Sequence, residues 1–322
     1  MRNRLALVVL GAAFALAAPH AAAQAYPTKS IRFIVPFAPG GGNDILGRVV
    51  AQKLSEAFGV PVVVDNRPGA GGTLGTDLTA KSPPDGHTIL INNLSVAVNV
   101  TLYSKLPFDP LKDLQTVSLV GRQPNILVVH PTLPAKSWKE LYALAKKRPG
   151  ELSFSSGGVG SSSHLAGELL KVVSGIQMVH IPYKGMGPAL VDLISGQVQL
   201  SMSTLASALP HVRNQRMRPL AVSTAERVAV VPDVPTLQEA GLKGYEHSTW
   251  YGLYVRAGTP RPAVDRLNEA VRKSVASAEV GKRFGTQGVQ PVSNSPDEFR
   301  AFLVSEIAKW AKVVKAAGLR AN

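Results

Sequence analysis

The chain has 322 residues, 45% of them hydrophobic and 17% charged, and a formal net charge of +14 from 35 Lys and Arg against 21 Asp and Glu. That composition suits a folded protein of about two domains and excludes disordered, collagen-like and coiled-coil classes. With no cysteine, disulfides, thiol nucleophiles, iron–sulfur clusters and cysteine-based zinc sites are excluded too.

The first 25 residues read as a secretory signal peptide. Arg2 and Arg4 supply the positive start, Leu5 to Ala18 is an apolar run, and small residues precede two cleavage points, after Ala23 and after Ala25. The run is too short for a spanning helix, and no later stretch approaches 18 consecutive apolar residues. The expectation is an exported, soluble protein whose charge falls by two when Arg2 and Arg4 leave.

The next segment is a strand–loop–helix unit. Ile31 to Val35 is a β-branched run, followed by Pro36-Phe37-Ala38-Pro39-Gly40-Gly41-Gly42-Asn43-Asp44. Asn43 or Asp44 is expected to cap a helix whose apolar residues Leu46, Val49, Val50 and Leu54 recur at helical spacing. A strand at Val60 to Val64, a glycine turn at residues 66–72, a helix carrying Leu74 and Leu78, and a strand at His87 to Ile91 follow. Short strands alternating with helices predict a parallel, doubly wound sheet.

The same grammar repeats in the middle of the chain. Strands are expected at Ile126 to Val129, Leu152 to Ser155, Met178 to Ile181, Val198 to Met202 and Pro219 to Val222. Helices are expected at Trp138 to Lys147, after the serine loop with Leu165, Leu169 and Val172 or Val173 inward, and near Ala189 to Ile194. A strand at Tyr251 to Val255 and amphipathic helices at Arg261 to Ser277 and Pro296 to Ala317 close the chain. Two α/β units with a C-terminal remainder imply two lobes. The expected division is 26–124 for the first, 125–250 for the second and 251–322 returning to the first, with crossings near Arg122-Gln123-Pro124 and Thr249-Trp250-Tyr251.

Two loops carry the chemistry. Pro39 to Asn43 and Gly157-Gly158-Val159-Gly160-Ser161-Ser162-Ser163 each run from a strand into a helix start, where free amides and the dipole favour an anion. Glycine permits close approach and serine adds rotatable donors. Phosphate motifs are missing: there is no G-x-x-x-x-G-K-[ST], and Leu74 stands where G-x-G-x-x-G needs its last glycine. Neither G-x-S-x-G nor H-E-x-x-H occurs. His87, His130, His180 and His211 read as packing or surface residues. His164 follows the serine loop, leaving a secreted serine hydrolase using Ser161 or Ser162 with His164 as the alternative to a binding role. Basic residues such as Lys146-Lys147-Arg148, Arg213, Arg216, Arg218 and Arg272-Lys273 are scattered without interleaved aromatics, so no nucleic-acid partner is expected.

At these residues the sequence resembles the Bug receptors, the substrate-binding proteins of tripartite tricarboxylate transporters. The likeness is carried by Tyr26-Pro27-Thr28-Lys29, Ile34-Val35-Pro36-Phe37-Ala38-Pro39-Gly40-Gly41, Asn66-Arg67-Pro68-Gly69-Ala70-Gly71-Gly72, Pro84-Asp85-Gly86-His87-Thr88, Ile181-Pro182-Tyr183-Lys184-Gly185 and Thr259-Pro260. It implies a two-lobe α/β periplasmic binding protein of the type II, Venus-flytrap kind, each lobe a mixed, mostly parallel sheet flanked by helices. It further implies a non-catalytic, monomeric receptor without metal or cofactor. Such a receptor delivers a small organic carboxylate to membrane permease subunits or reports it to a sensor kinase.

The resemblance gives the ligand-binding candidates as Phe37, Ala38, Gly40, Gly41, Gly42, Asn43 and Asp44 in the first loop, and Asn92 after the third strand. The second lobe adds Ser156, Gly157, Gly158, Ser161, Ser162, His164, Tyr183, Lys184, Gly185 and Ser203. Many relatives carry a Phe-Asp pair where this chain has Met202-Ser203 before Thr204. Losing that acidic acceptor weakens the case for an amino-acid ligand and leaves a neutral, hydroxyl-lined position.

Overall fold

The computed structural model describes residues 26–316 and 318–320, and the expected signal segment, 1–25, lies outside them. The first unit runs β1 (Ile31–Val35), α1 (Gly42–Phe58), β2 (Val62–Asn66), a 3-10 turn (Ala70–Gly72), α2 (Thr73–Ala80), β3 (Thr88–Asn93) and α3 (Ser95–Leu102). A 16-residue strand, β4 (Leu114–Val129), leads to α4 (Trp138–Lys147), β5 (Ser153–Ser156), α5 (Ser162–Ser174), β6 (Val179–Pro182) and α6 (Met186–Ile194). Then come β7 (Leu200–Thr204), α7 (Leu205–Arg213), β8 (Arg218–Val222) and β9 (Ser248–Arg256). The chain ends with α8 (Arg261–Val275), α9 (Ala278–Gly285), β10 (Gln290–Pro291) and α10 (Pro296–Ala316).

The strands join in the order β2-β1-β3-β9-β4-β7-β5-β6, with β8 and β10 also on β4. Pairs β1–β2, β1–β3, β5–β6 and β5–β7 are parallel, whereas β9 enters antiparallel between β3 and β4. Strand β4 belongs to both halves of the sheet: residues 114–124 pair with β9, and residues 125–129 pair with β7 and β8. The expected short strand at Ile126 to Val129 is therefore only the end of a longer one. Pro124, which reads as a break, sits where the pairing partner changes, a place where a missing N–H costs the ladder least.

Helices cover both faces of each half. Leu46, Val49, Val50 and Leu54 of α1 pack with Phe33, Val35, Ile89 and Ile91, and with Leu267 and Val271 of α8, while Leu303 and Trp310 of α10 pack on the opposite face. In the second half Leu141 of α4 and Leu170 of α5 cover one face, and Leu190 of α6 and Leu209 of α7 the other. Each such buried side chain contributes about 1.5–3 kcal/mol. Of the two alternatives expected inward on α5, Val173 packs against the core beside Leu169, and Val172 is 60% exposed because the buried stripe runs through Leu165, Ala166 and Leu170. Among the described residues no helix is long and apolar enough to cross a membrane.

Candidate functional site

Four helix starts converge where the two halves of the sheet meet. The first turn of α1 brings Gly41, Gly42 and Asn43, that of α5 brings Ser161, Ser162 and Ser163, α6 brings Met186, and the residue before α7 is Thr204. With Phe37, Asn93, Gly157 and Tyr251 they enclose a cavity of about 20 Å³, room for about one water molecule. Among the described residues no charged side chain lines it. A wider cleft of about 650 Å³ lies outside, between Gly71, Tyr103, Gly158, Tyr183, Lys184 and Arg320.

The amides are aimed by local geometry. In α1 the first intrahelical bond comes from Asp44 N–H to the Gly41 carbonyl at 2.9 Å, so the Gly42 and Asn43 amides precede the ladder. The cap is Gly41, with no side-chain cap, instead of Asn43 or Asp44. The Asp44 carboxylate turns back to accept from Gly40 N–H at 3.1 Å, Asn66 Nδ2 at 3.0 Å and Arg48 Nε at 3.1 Å. Burial pushes its pKa up, but those hydrogen bonds and the Arg48 charge outweigh it and hold Asp44 below the usual carboxylate range. Asp44 thus stiffens the glycine loop and leaves the cavity to Asn43, which is 4% exposed and whose Oδ1 has no partner. Glycine is required at position 42, since a Cβ there would overlap the Tyr251 hydroxyl and stand 2.6 Å from Gln123 Nε2.

In α5, Ser161 is the N-cap and accepts from His164 N–H at 3.4 Å. Ser163 Oγ accepts from Gly157 N–H at 2.9 Å and contacts Ser161 Oγ at 3.1 Å. The Ser162 hydroxyl points to the crossing strands, where it meets Thr249 Oγ1, Asn125 Oδ1 at 3.3 Å and His247 Nε2 at 3.2 Å. Asn125 also accepts from Thr249 Oγ1 at 3.0 Å and donates to the Met202 carbonyl at 2.9 Å. The loop is therefore bolted to both strands that pass between the halves.

Several sequence candidates sit away from the cavity. Asn92 is held by Thr76, Ser95 and the Asn93 amide, and its neighbour Asn93 faces the cavity instead. Ser203 donates to the Thr204 carbonyl at 3.1 Å, and Thr204 lines the cavity. Ser156 Oγ contacts His180 Nε2 at 2.6 Å, and the Tyr183 hydroxyl donates to Asp192 at 2.6 Å. Burial, then the Asp192 hydrogen bond and charge, push that tyrosine up to about 12. Gly158, Tyr183 and Lys184 line the outer cleft, while Ala38, Gly40 and Gly185 form contacts between the two halves.

His164 lies under the loop. Its Nδ1 accepts from Gly160 N–H at 3.2 Å, and its ring sits 4.1 Å from that of His180. Burial, with the Lys171 charge behind it, pushes His164 down to about 4, and burial with His164 and Lys171 pushes His180 down to about 3. Among the described residues no hydrogen bond joins the His164 imidazole to the Ser161 or Ser162 hydroxyl; from His164, Ser161 accepts only the backbone N–H. The histidine beside Ser162 is His247, pushed down to about 3 by burial and then Lys309, and packed against Trp310. Imidazoles so depressed are poor bases near neutral pH.

Tyr251, Thr204, Asn93, Met186 and Ser163 line the cavity and are not among the candidates that the sequence reading gave. Tyr251 is fully buried, its pKa is raised above the ordinary phenol range by burial, and its Oη accepts from Gln123 Nε2. The phenol O–H is thereby left as a neutral donor at the cavity wall.

Comparison with known proteins places this arrangement. Residues 46–319 match the family described as tripartite tricarboxylate transporter family receptor. The chain is 39% identical to the protein BugT of Bordetella pertussis over 99% of each chain. It is 36% identical to Rpa4515 of R. palustris, solved with adipate, at a TM-score of 0.89 over 92% of this chain and 99% of that one. MatC of Rhodopseudomonas palustris, solved with bound malate, is 32% identical at a TM-score of 0.84, covering 90% and 100%. With sequence and fold in agreement along nearly the whole chain, this protein belongs to the tripartite tricarboxylate transporter receptors, the solute-binding Bug family.

Proposed function

We propose that this receptor captures a small dicarboxylate between two lobes in the periplasm and presents it, without catalysis, to membrane permease subunits. The observation that carries this reading is the convergence of four helix N-termini on one enclosed cavity with no charged side chain among the described residues of its wall. Unpaired amides and dipole ends favour an anion, and hydroxyls and amides from Ser161, Asn43, Tyr251 and Thr204 supply further neutral donors. A buried carboxylate needs several donors at once, and only a closed arrangement of both halves gathers them.

The lobes in this reading are 26–124 with 251–322, and 125–250. Membership of β4 in both halves of the sheet, and the position of Thr249 beside Asn125, support crossings at those points. Adipate and malate, the ligands solved with relatives 36% and 32% identical, mark the size class, and a ligand of that size needs more room than the cavity of about 20 Å³, so the halves must part to admit it. Removal of the first 23 or 25 residues would release the receptor into the periplasm, and intact-mass measurement of the exported protein checks the start point.

The test is calorimetric titration of the purified receptor with adipate, malate and the dimethyl ester of each. One-to-one binding of the acids and none of the esters is expected. Equal binding of acid and ester would overturn the anion-site reading.

A further inference from the structure

The cleft is shut by contacts that fall on glycine. On one side, Ala38 N–H donates to the Lys184 carbonyl at 2.9 Å. Gly185 passes so near that a Cβ on it would stand 2.7 Å from the Ala38 nitrogen. Just beyond it, a Cβ on Gly187 would overlap the Pro39 carbonyl oxygen, and Gly187 Cα is 3.5 Å from where a Cβ on Gly40 would be. On the other side, Gly71 lies against the Val159 carbonyl and Gly160 against the Asn99 side chain.

Most of these glycines have a local reason to be glycine. Gly71, Gly160 and Gly185 have φ of 61°, 82° and 148°, which L side chains rarely adopt. Gly187 has no such φ: it is the second residue of α6, where Pro188 crowds the residue before it without excluding alanine. Setting aside its chain neighbours and its own helix, the nearest atoms that a Cβ there would meet are the Pro39 carbonyl group and Gly40 Cα, all from the other half. The contact across the cleft leaves room for no more than a hydrogen at this position.

We propose that Gly187 is a positioning residue for ligand capture. Its missing side chain lets α6 settle on the backbone of Pro39 and Gly40, and this clasp sets how far the cleft closes. The proposal rests on the carboxylate reading above, since closure is what brings the starts of α5 and α6 to that of α1. A methyl group at 187 meets a backbone oxygen, which yields less than a flexible side chain, so the halves must stop short. The donors of α5 and α6 then no longer reach an anion held by α1.

The test uses Gly187→Ala beside Gly281→Ala, a helical glycine of α9 whose Cβ would meet nothing within 4 Å. Because the chain has no cysteine, Leu78→Cys on α2 and Val172→Cys on α5, both exposed, give unique spin-label sites on the two halves. Electron–electron distance measurements are made with and without adipate, alongside adipate titration and thermal melting. The wild-type background and Gly281→Ala should show a short-distance population that grows with adipate. Gly187→Ala should lose it at every adipate concentration and bind adipate at least about ten-fold more weakly. Its melting temperature without ligand should hold, a combination that a merely structural role would not produce. Gly187→Ala reaching the wild-type short distance, or a wild type showing only the long distance in every sample, would overturn the clasp. A wild type that ignores adipate, yet whose short population disappears in Gly187→Ala, would remove the dicarboxylate reading and leave the clasp standing.

Discussion

Replacing Asn43 by leucine should move stability and affinity in opposite directions. Asn43 is the second residue of α1, 4% exposed, with an amide oxygen that finds no partner in the protein. A buried polar atom left unpaired costs about 1–3 kcal/mol. Leucine has similar bulk and is a good helix former, so Asn43→Leu should stabilise the protein without ligand by about 1–3 kcal/mol. At roughly 2–4 °C per kcal/mol for a protein of this size, the melting temperature should rise by several degrees. The same change removes an amide that can donate to an anion. A hydrogen bond to a charged group is worth about 1.5–3 kcal/mol, so adipate affinity should fall roughly ten- to a hundred-fold. Differential scanning fluorimetry reads the first effect and calorimetric titration the second. If Asn43→Leu melts lower than wild type and binds adipate unchanged, the reasoning is refuted, because Asn43 would then be a packing residue.

Two further outcomes follow from the site. Ser162→Ala should cost about 1–3 kcal/mol of stability in chemical denaturation, because Asn125, Thr249 and His247 lose a shared buried partner; an unchanged denaturation midpoint would show that the serine is not tied to the crossing strands. Stability should be complete above pH 6.5 and fall as the pH drops toward about 4 and 3, since the unfolded chain takes up protons at His164, His180 and His247 that the folded chain refuses. The slope is on the order of 1.4 kcal/mol per pH unit for each titrating histidine, and His180→Gln should flatten denaturation midpoints measured between pH 6 and 4.

The strand–glycine–helix units are legible because glycine punctuates them and because α1 and α4 carry one apolar stripe each. What stays hidden is structure whose signal is not periodic. Helix α3, Ser-Val-Ala-Val-Asn-Val-Thr-Leu, is buried at six of eight positions, so it shows no amphipathic stripe. Helix α7 follows β7 without a connecting loop, so no turn residue marks its start. Strand β4 contains Gly121 and Pro124, residue types that weaken a strand, and it is pairing with β9, and at Gly121 with β10, that holds them in it. Tyr251 reaches the cavity because β9 inserts between β3 and β4, a pairing that no local pattern announces.

Two misses at the site share one cause, and the sequence holds the signal that corrects them. Neighbouring strand residues face opposite sides of a sheet, so a choice wrong by one residue selects the wrong face. Asn93 continues the row Ile89 and Ile91, which packs on the α1 side, whereas Asn92 continues Leu90 on the opposite face. Extending that parity to the strand end selects Asn93 from sequence alone. Thr204 likewise follows Leu200 and Met202 in one row, with Ser201 and Ser203 in the other.

If the cavity is the anion site proposed above, the absence of charged side chains from its described wall is the property on which specificity turns. A lysine or arginine in the wall would hold any anion by charge, and would itself be costly to bury when the site is empty. Helix starts avoid that cost, since each presents about half a positive charge and oriented amides without an ionisable group. The two glycine loops then have to bring those starts within reach of one small anion, which is why glycine and serine, and no basic motif, are the residues that betray the site. In the proposed reading the same arrangement makes capture depend on closure: α1 would supply its amides from one half and α5 and α6 from the other, and neither set surrounds a carboxylate alone. The net positive charge that remains once Arg2 and Arg4 leave, +14 less two, acts outside this shell, drawing anions to the cleft over a Debye length. Added salt should therefore slow association far more than it speeds release, and stopped-flow titration with adipate at two ionic strengths separates the two. A release rate that rises with salt as steeply as the association rate falls would place a charged side chain in contact with the ligand, against the neutral wall described for the cavity.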